Sequence, residues 1–86
     1  MYIDYKVIDC FINGRIVGRW YTIIHVPELK KQGLKEAFLR NLGVDFAEIR
    51  GDNIVIPVYI REFEIQRAYR KTLKHANKEV KVEVKQ

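Results

Sequence analysis

Serine is absent from the chain, and threonine occurs only as Thr22 and Thr72. A serine nucleophile is therefore excluded, together with the hydrolases that depend on one. Cys10 is the only cysteine, so no disulfide can close within the chain and no thiolate cluster can hold a metal. Asp9 stands beside it and disfavours the thiolate, which makes Cys10 an inert, buried strand residue by expectation. His25 and His75 form no local ligand pair, and no His or Cys spacing matches a zinc site. No cofactor is expected. No apolar run approaches the ~20 residues that cross a bilayer, and Met1-Tyr2-Ile3-Asp4 lacks the charged start and apolar centre of a signal peptide. A cytoplasmic protein with no membrane partner is the expectation.

What is present points to binding. The 86 residues allow one domain, 1–86, with a core of modest size, and 48% of them are hydrophobic. A second copy would hide apolar surface that so small a chain leaves wet, so a homodimer is expected. Sixteen Lys and Arg against eleven Asp and Glu give a net charge of +5, the balance of a protein that meets polyanions. The same excess also serves solubility. Abundant Ile, Val, Lys and Glu fit a thermophilic or archaeal source, as they fit drift in an AT-rich genome.

Tyr2 to Ile12 and Arg15 to Val26 are rich in β-branched and aromatic residues and flank Asn13-Gly14, the dipeptide that best accepts the two positive φ angles of a type I′ turn. A two-residue turn makes paired positions sum to a constant. Ile3, Tyr5, Val7 and Phe11 then share a face with Ile24, Thr22, Trp20 and Ile16, and that face is read as the core side. Pro27 can open a helix and Gly43 can close it, with Gly33 weakening the first half and a turn splitting off between Pro27 and Gln32. Leu34, Ala37, Phe38 and Leu42 recur there at helical spacing. Val44 to Ile49 and Asn53 to Ile60 read as a second hairpin around Arg50-Gly51-Asp52, with Pro57 pushing the latter strand to a sheet edge. Glu62 to Asn77 is helical by period, and Glu79 to Lys85 alternates valine with charge as a half-buried strand does. The order ββαββαβ predicts a two-layer α+β fold, mostly antiparallel, with both helices on one face of the sheet.

On a helical wheel Ile65, Ala68, Tyr69, Thr72 and Ala76 fall together, and Arg67, Arg70, Lys71, Lys74 and Lys78 cluster opposite them. Five cations without a carboxylate are enough for several phosphate contacts. The plainer reading assigns Glu62, Glu64, Lys74 and Lys78 to the helix dipole, which explains the ends better than the middle. The outer face of the first hairpin pairs Tyr2 with His25, Lys6 with Tyr21, Ile8 with Arg19 and Ile12 with Arg15. Rings alternating with cations can stack on bases while holding the backbone. Ile8, Val17 and Ile23 on that face would instead seal a dimer, with the charges at its rim.

Two spellings carry little weight. Glu79-Val80-Lys81 and Glu83-Val84-Lys85 match the carboxylate and lysine of metal-dependent nucleases, but an exposed alternating strand produces them for free. Arg50-Gly51-Asp52 spells an adhesion tripeptide, and here it reads as a turn.

The segment YTIIHVPELK followed by LRNLGV resembles the core of AbrB-type swapped-hairpin DNA-binding proteins, in which a strand runs into a proline, a short helix and a Leu-Gly-hydrophobic step. Thr22, Ile23, Pro27, Glu28, Leu29, Leu42, Gly43 and Val44 carry the likeness over about half the chain. It implies an obligate dimer that inserts basic residues into DNA, with Arg15 and Arg19 as the nearest candidates. The helix is longer than in that pattern, Gly-Asp follows only as Gly51-Asp52, and IVIPVYIRE fits the strand-proline-helix part in a second register.

The sequence thus leads to a small, basic, non-catalytic nucleic-acid-binding protein, a DNA-binding regulator among the candidates. Lys6, Arg15, Arg19, Tyr21 and the cations of the last helix are its contact residues. The competing expectation is a protein-interaction module or viral accessory factor that dimerises through the hairpin face.

Overall fold

A computed structural model of the chain describes residues 1–85, with side chains described for residues 1–76. The fold is α+β: a four-stranded antiparallel sheet and two helices, in the order β1 (Tyr2–Ile12), β2 (Arg15–His25), α1 (Gln32–Leu42), β3 (Glu48–Arg50), β4 (Asn53–Ile56), α2 (Glu62–Lys85). No helix among the described residues is long and apolar enough to cross a membrane.

The chain divides into two compact units. The first, Met1–Glu28 with Phe46–Ile60, holds the sheet, whose strands lie in the order β1-β2-β4-β3. Asn13 and Gly14 take φ of 49° and 75°, the pair of positive values a type I′ turn demands, and they set the β1–β2 register from Tyr2↔His25 to Ile12↔Arg15 without a break. β2 pairs with β4 only from Thr22 to His25. Four isoleucines, Ile3, Ile24, Ile54 and Ile49, consequently form one row across all four strands on one face. Thr22, Ile24, Ile54 and Ile56 on that face are fully buried.

The buried face stops halfway along the hairpin. Val7, Phe11, Ile16 and Trp20, expected in the core by alternation, are exposed, Phe11 by 76% and Ile16 by 69%. Alternation correctly assigns these residues to the face of Ile3 and Ile24, but burial also needs something lying over them. β4 ends at Ile56, so Val7 to Trp20 project as a two-stranded arm beyond the four-stranded part.

Pro57 explains the stop. Without an N–H it cannot continue the ladder opposite Tyr21. It ends a strand that lies between β2 and β3, so β4 is interior, not the edge strand the proline was expected to make it. The chain then turns to side chains for its hydrogen bonds: the Thr22 hydroxyl donates to the Val58 carbonyl at 2.7 Å and accepts the Ile60 N–H at 3.0 Å, and the Tyr5 hydroxyl donates to the Ile60 carbonyl at 2.7 Å. Gly51, at φ 58°, makes the two-residue turn between β3 and β4, both shorter than the sequence pattern implied.

The second unit comprises Leu29–Asp45 and Arg61–Gln86. α1 begins at Gln32, after the turn that follows Pro27. It ends at Gly43, whose φ of 81° lets its N–H bond back to Arg40 while the Val44 N–H bonds to the Leu39 carbonyl. That is the paired closure of a Schellman motif. Phe38 and Leu39 are buried, whereas Leu34, Ala37 and Leu42 are half-buried, so the inward stripe lies slightly off the predicted one. On α2, Ile65, Ala68 and Thr72 are buried. Phe38 and Tyr69 meet with ring centres 6.0 Å apart, and Asn41 donates to the Thr72 hydroxyl, which in turn donates to the Ala68 carbonyl. α2 runs on to Lys85, so the strand expected from Glu79 is a continuation of the helix. Alternating Val and charge satisfies a strand period, but nothing breaks the helix before it.

Candidate nucleic-acid interface

Arg67, Arg70, Lys71 and Lys74 follow one another at spacings of three, one and three residues, which at about 100° per residue confines them to one stripe. All four are exposed, and the buried Ile65, Ala68 and Thr72 occupy the opposite side of the helix, as the wheel predicts. Among the described residues no carboxylate forms an ion pair with any of the four. Arg70 leans its Nε–H toward the Gln66 carbonyl at 3.5 Å, a long contact that leaves the rest of the guanidinium fork to water. Glu62, in the first turn, accepts from Gln66 at 3.4 Å. The acidic start of the helix is thus engaged with the helix itself, where it favours the positive end of the dipole. Lys78 lies outside the residues whose side chains are described.

α1 adds one polar side chain, Asn41, beside the stripe. Arg67 and Lys71 line a groove of about 310 Å³ with Asn41, Leu42, Glu64 and Ala68. Arg61, at the start of α2, holds its guanidinium 5.4 Å from the centre of the exposed Phe63 ring, a cation over a flat apolar surface.

On the hairpin, Lys6, Arg15 and Arg19 are exposed and Tyr21 is half-buried. The register opposes Lys6 to Tyr21, Ile8 to Arg19 and Ile12 to Arg15, the pairs expected from the turn. β3 and β4 bring Glu48, Arg50 and Val55 alongside, and together with Lys6, Ile8, Tyr21 and Ile23 they line a shallow depression of about 400 Å³. Arg15 lies beyond it, towards the tip of the arm. Ile8 and Val17 are exposed and Ile23 is half-buried. Glu48 was not singled out by the sequence and Arg50 only as a turn residue, whereas Arg50 ends β3 at a spacing of two from Glu48, the spacing of one strand face. They form a two-pronged pair, Nε to Oε1 at 2.8 Å and the second nitrogen to Oε2 at 3.0 Å. The Arg50 hydrogen bond holds the Glu48 carboxyl below its ordinary value, and the same bond raises the guanidinium.

Cys10 is half-exposed, not buried, with its sulfur 3.9 Å from the Ile8 carbonyl. By strand alternation Cys10 lies on the outer face with Lys6 and Ile8, opposite the face on which Ile24 is buried. His25 donates from Nδ1 to Asn53 Oδ1 at 2.7 Å, since an amide oxygen can only accept, and its ring lies 5.3 Å from that of Tyr2. His25 is therefore a paired sheet residue. Among the described residues no group of three or more His, Cys, Asp or Glu side chains is placed to hold a metal ion. The carboxylates and lysines after Asn77 lie outside the described side chains.

Comparison of the chain with protein-family models, with curated proteins and with solved structures finds no match.

Proposed function

We infer that the protein binds nucleic acid through the cation stripe of α2. The observation that carries this reading is the absence of ion-pair partners: Arg67, Arg70, Lys71 and Lys74 are exposed on one side of one helix, and no described carboxylate forms an ion pair with them. Surface cations with no protein partner are the groups that exchange condensed counterions for phosphates. Arg presents a planar fork that suits phosphate oxygens, and two of the four are Arg. Lys6, Arg15 and Arg19 on the hairpin, with Tyr21 beside them, add a second basic surface. The AbrB-type resemblance favours DNA as the ligand and the two hairpin arginines as its contacts.

Binding of labelled duplex DNA, single-stranded DNA and RNA, measured over a range of salt, tests the reading. Four phosphate contacts give a slope of log K against log salt of roughly −3.5 on duplex DNA. No detectable binding to any of the three at low salt overturns it.

A protein-interaction module, such as an accessory factor, is the second reading. It is favoured by the apolar Ile8, Ile23 and Val55, which line the sheet depression together with Tyr21 and the charged Lys6, Glu48 and Arg50. Ile8→Glu together with Ile23→Glu abolishes partner capture under this reading and leaves nucleic-acid binding by α2 intact.

A further inference from the structure

β1 is eleven residues long, ends the sheet on one side and pairs with β2 alone. Edges of that length are ordinarily kept short, bulged or interrupted by proline, because a row of open N–H and C=O groups invites another strand. Between Tyr2 and Ile12 there is no proline, and the register with β2 runs unbroken. Water reaches apolar side chains along this edge: Val7, Ile8, Phe11 and Ile12 are all exposed.

We propose that a second copy of this chain adds to that edge, β1 against β1 in antiparallel order, about a twofold axis at Val7. A twofold axis perpendicular to a sheet keeps like faces on one side, so it passes through a residue and its own counterpart. Centred at Lys6, the axis opposes two ammonium groups, which is unfavourable. Centred at Tyr5, it leaves Phe11 and Ile12 without a facing strand. Centred at Val7, it pairs the whole of β1, with Tyr2 facing the partner's Ile12 and Ile3 facing the partner's Phe11. The isoleucine row Ile49, Ile54, Ile24 and Ile3 of one copy then continues into the partner's Phe11 and Ile16, the two most exposed aliphatic or aromatic side chains of the arm.

Paired along all eleven residues, the two strands run side by side for about 37 Å. The union joins two four-stranded sheets into one and removes both long edges. It does not depend on nucleic-acid binding, and it uses the strand edge, whereas the second reading above uses the face carrying Ile23.

Sedimentation of the full chain, with disulfide trapping, tests the proposal. The unmodified chain sediments with the mass of two chains. In a Cys10→Ala background, Val7→Cys links two chains on oxidation, because paired strand positions on the axis bring their Cα atoms to roughly 4.5–5.5 Å. Asp9→Cys in the same background does not, since its counterpart lies four residues further along the ladder. Ile23→Glu leaves the dimer intact. Val7 and Asp9 are exposed, so neither cysteine variant disturbs the buried part of the sheet. A single-chain mass up to roughly millimolar concentration, or a dimer that Val7→Cys fails to trap, overturns the proposal.

Discussion

Thr22 holds Ile60 in place: its hydroxyl accepts the Ile60 N–H at 3.0 Å and donates to the Val58 carbonyl at 2.7 Å. The residue is fully buried, and its one side-chain oxygen serves two backbone groups of the segment that follows Pro57, where the β2–β4 ladder has ended.

Thr22→Val keeps the shape and removes both bonds. The Ile60 N–H and the Val58 carbonyl lose that part-buried partner, at a cost of about 1–2 kcal/mol in all. With an m-value of about 1 kcal/mol/M for a chain of this size, the urea midpoint falls by about 1–2 M. A midpoint that stays put shows that the segment from Pro57 to Ile60 finds other partners.

The Glu48–Arg50 pair gives a pH dependence of known sign. The Glu48 carboxyl titrates lower in the folded chain than in the unfolded one, so the pair contributes above the unfolded value, and that contribution is lost as pH falls through the folded value. Both side chains are exposed and the effect on stability is slight, so the carboxyl itself is the better observable. In an NMR titration its midpoint lies below the ordinary glutamate value of about 4.3 and returns there in Arg50→Ala. An unchanged midpoint in that variant assigns the shift to something other than Arg50.

Charge changes on the two basic surfaces separate their roles in polyanion binding. Arg67→Glu, Arg70→Glu and Lys71→Glu together reduce the salt slope by about three and weaken binding to every sequence alike, because phosphate contacts carry no sequence information. Arg15→Gln with Arg19→Gln reduces the slope by about two if the hairpin also touches phosphate. A triple α2 variant with an unaltered slope removes the helix from the interface.

Much of this architecture is legible in the residues themselves. Asn13-Gly14 sets the register of β1 and β2, and the wheel of α2 separates its buried and cationic sides, because a two-residue turn and a 3.6-residue period are local rules. Burial along the hairpin is not local. Val7 and Trp20 have the same alternation as Ile3 and Ile24, and only the point at which β4 ends distinguishes them. The role of Pro57 is hidden for the same reason, since a proline that ends an interior strand and one that marks an edge read alike until neighbours are known. Thr22 and Asn41 are also silent in sequence, because their partners lie 36 to 38 and 31 residues away. Of the candidate contacts, the pairs on the hairpin followed from the turn, whereas Glu48 and Arg50 needed the β3–β4 pairing to bring them alongside.

The arm shares its register with the base of the sheet without sharing its interior, and this decouples its reach from the stability of the fold. Adding two residues to each strand near Asn13-Gly14 would carry the tip outward by about 6.8 Å and preserve which side chains point to which face. Adding one would invert every face beyond the insertion. The projecting ribbon can therefore be lengthened or trimmed in steps of two, much as a ruler is graduated, while Ile24, Ile54 and Ile56 remain where they are.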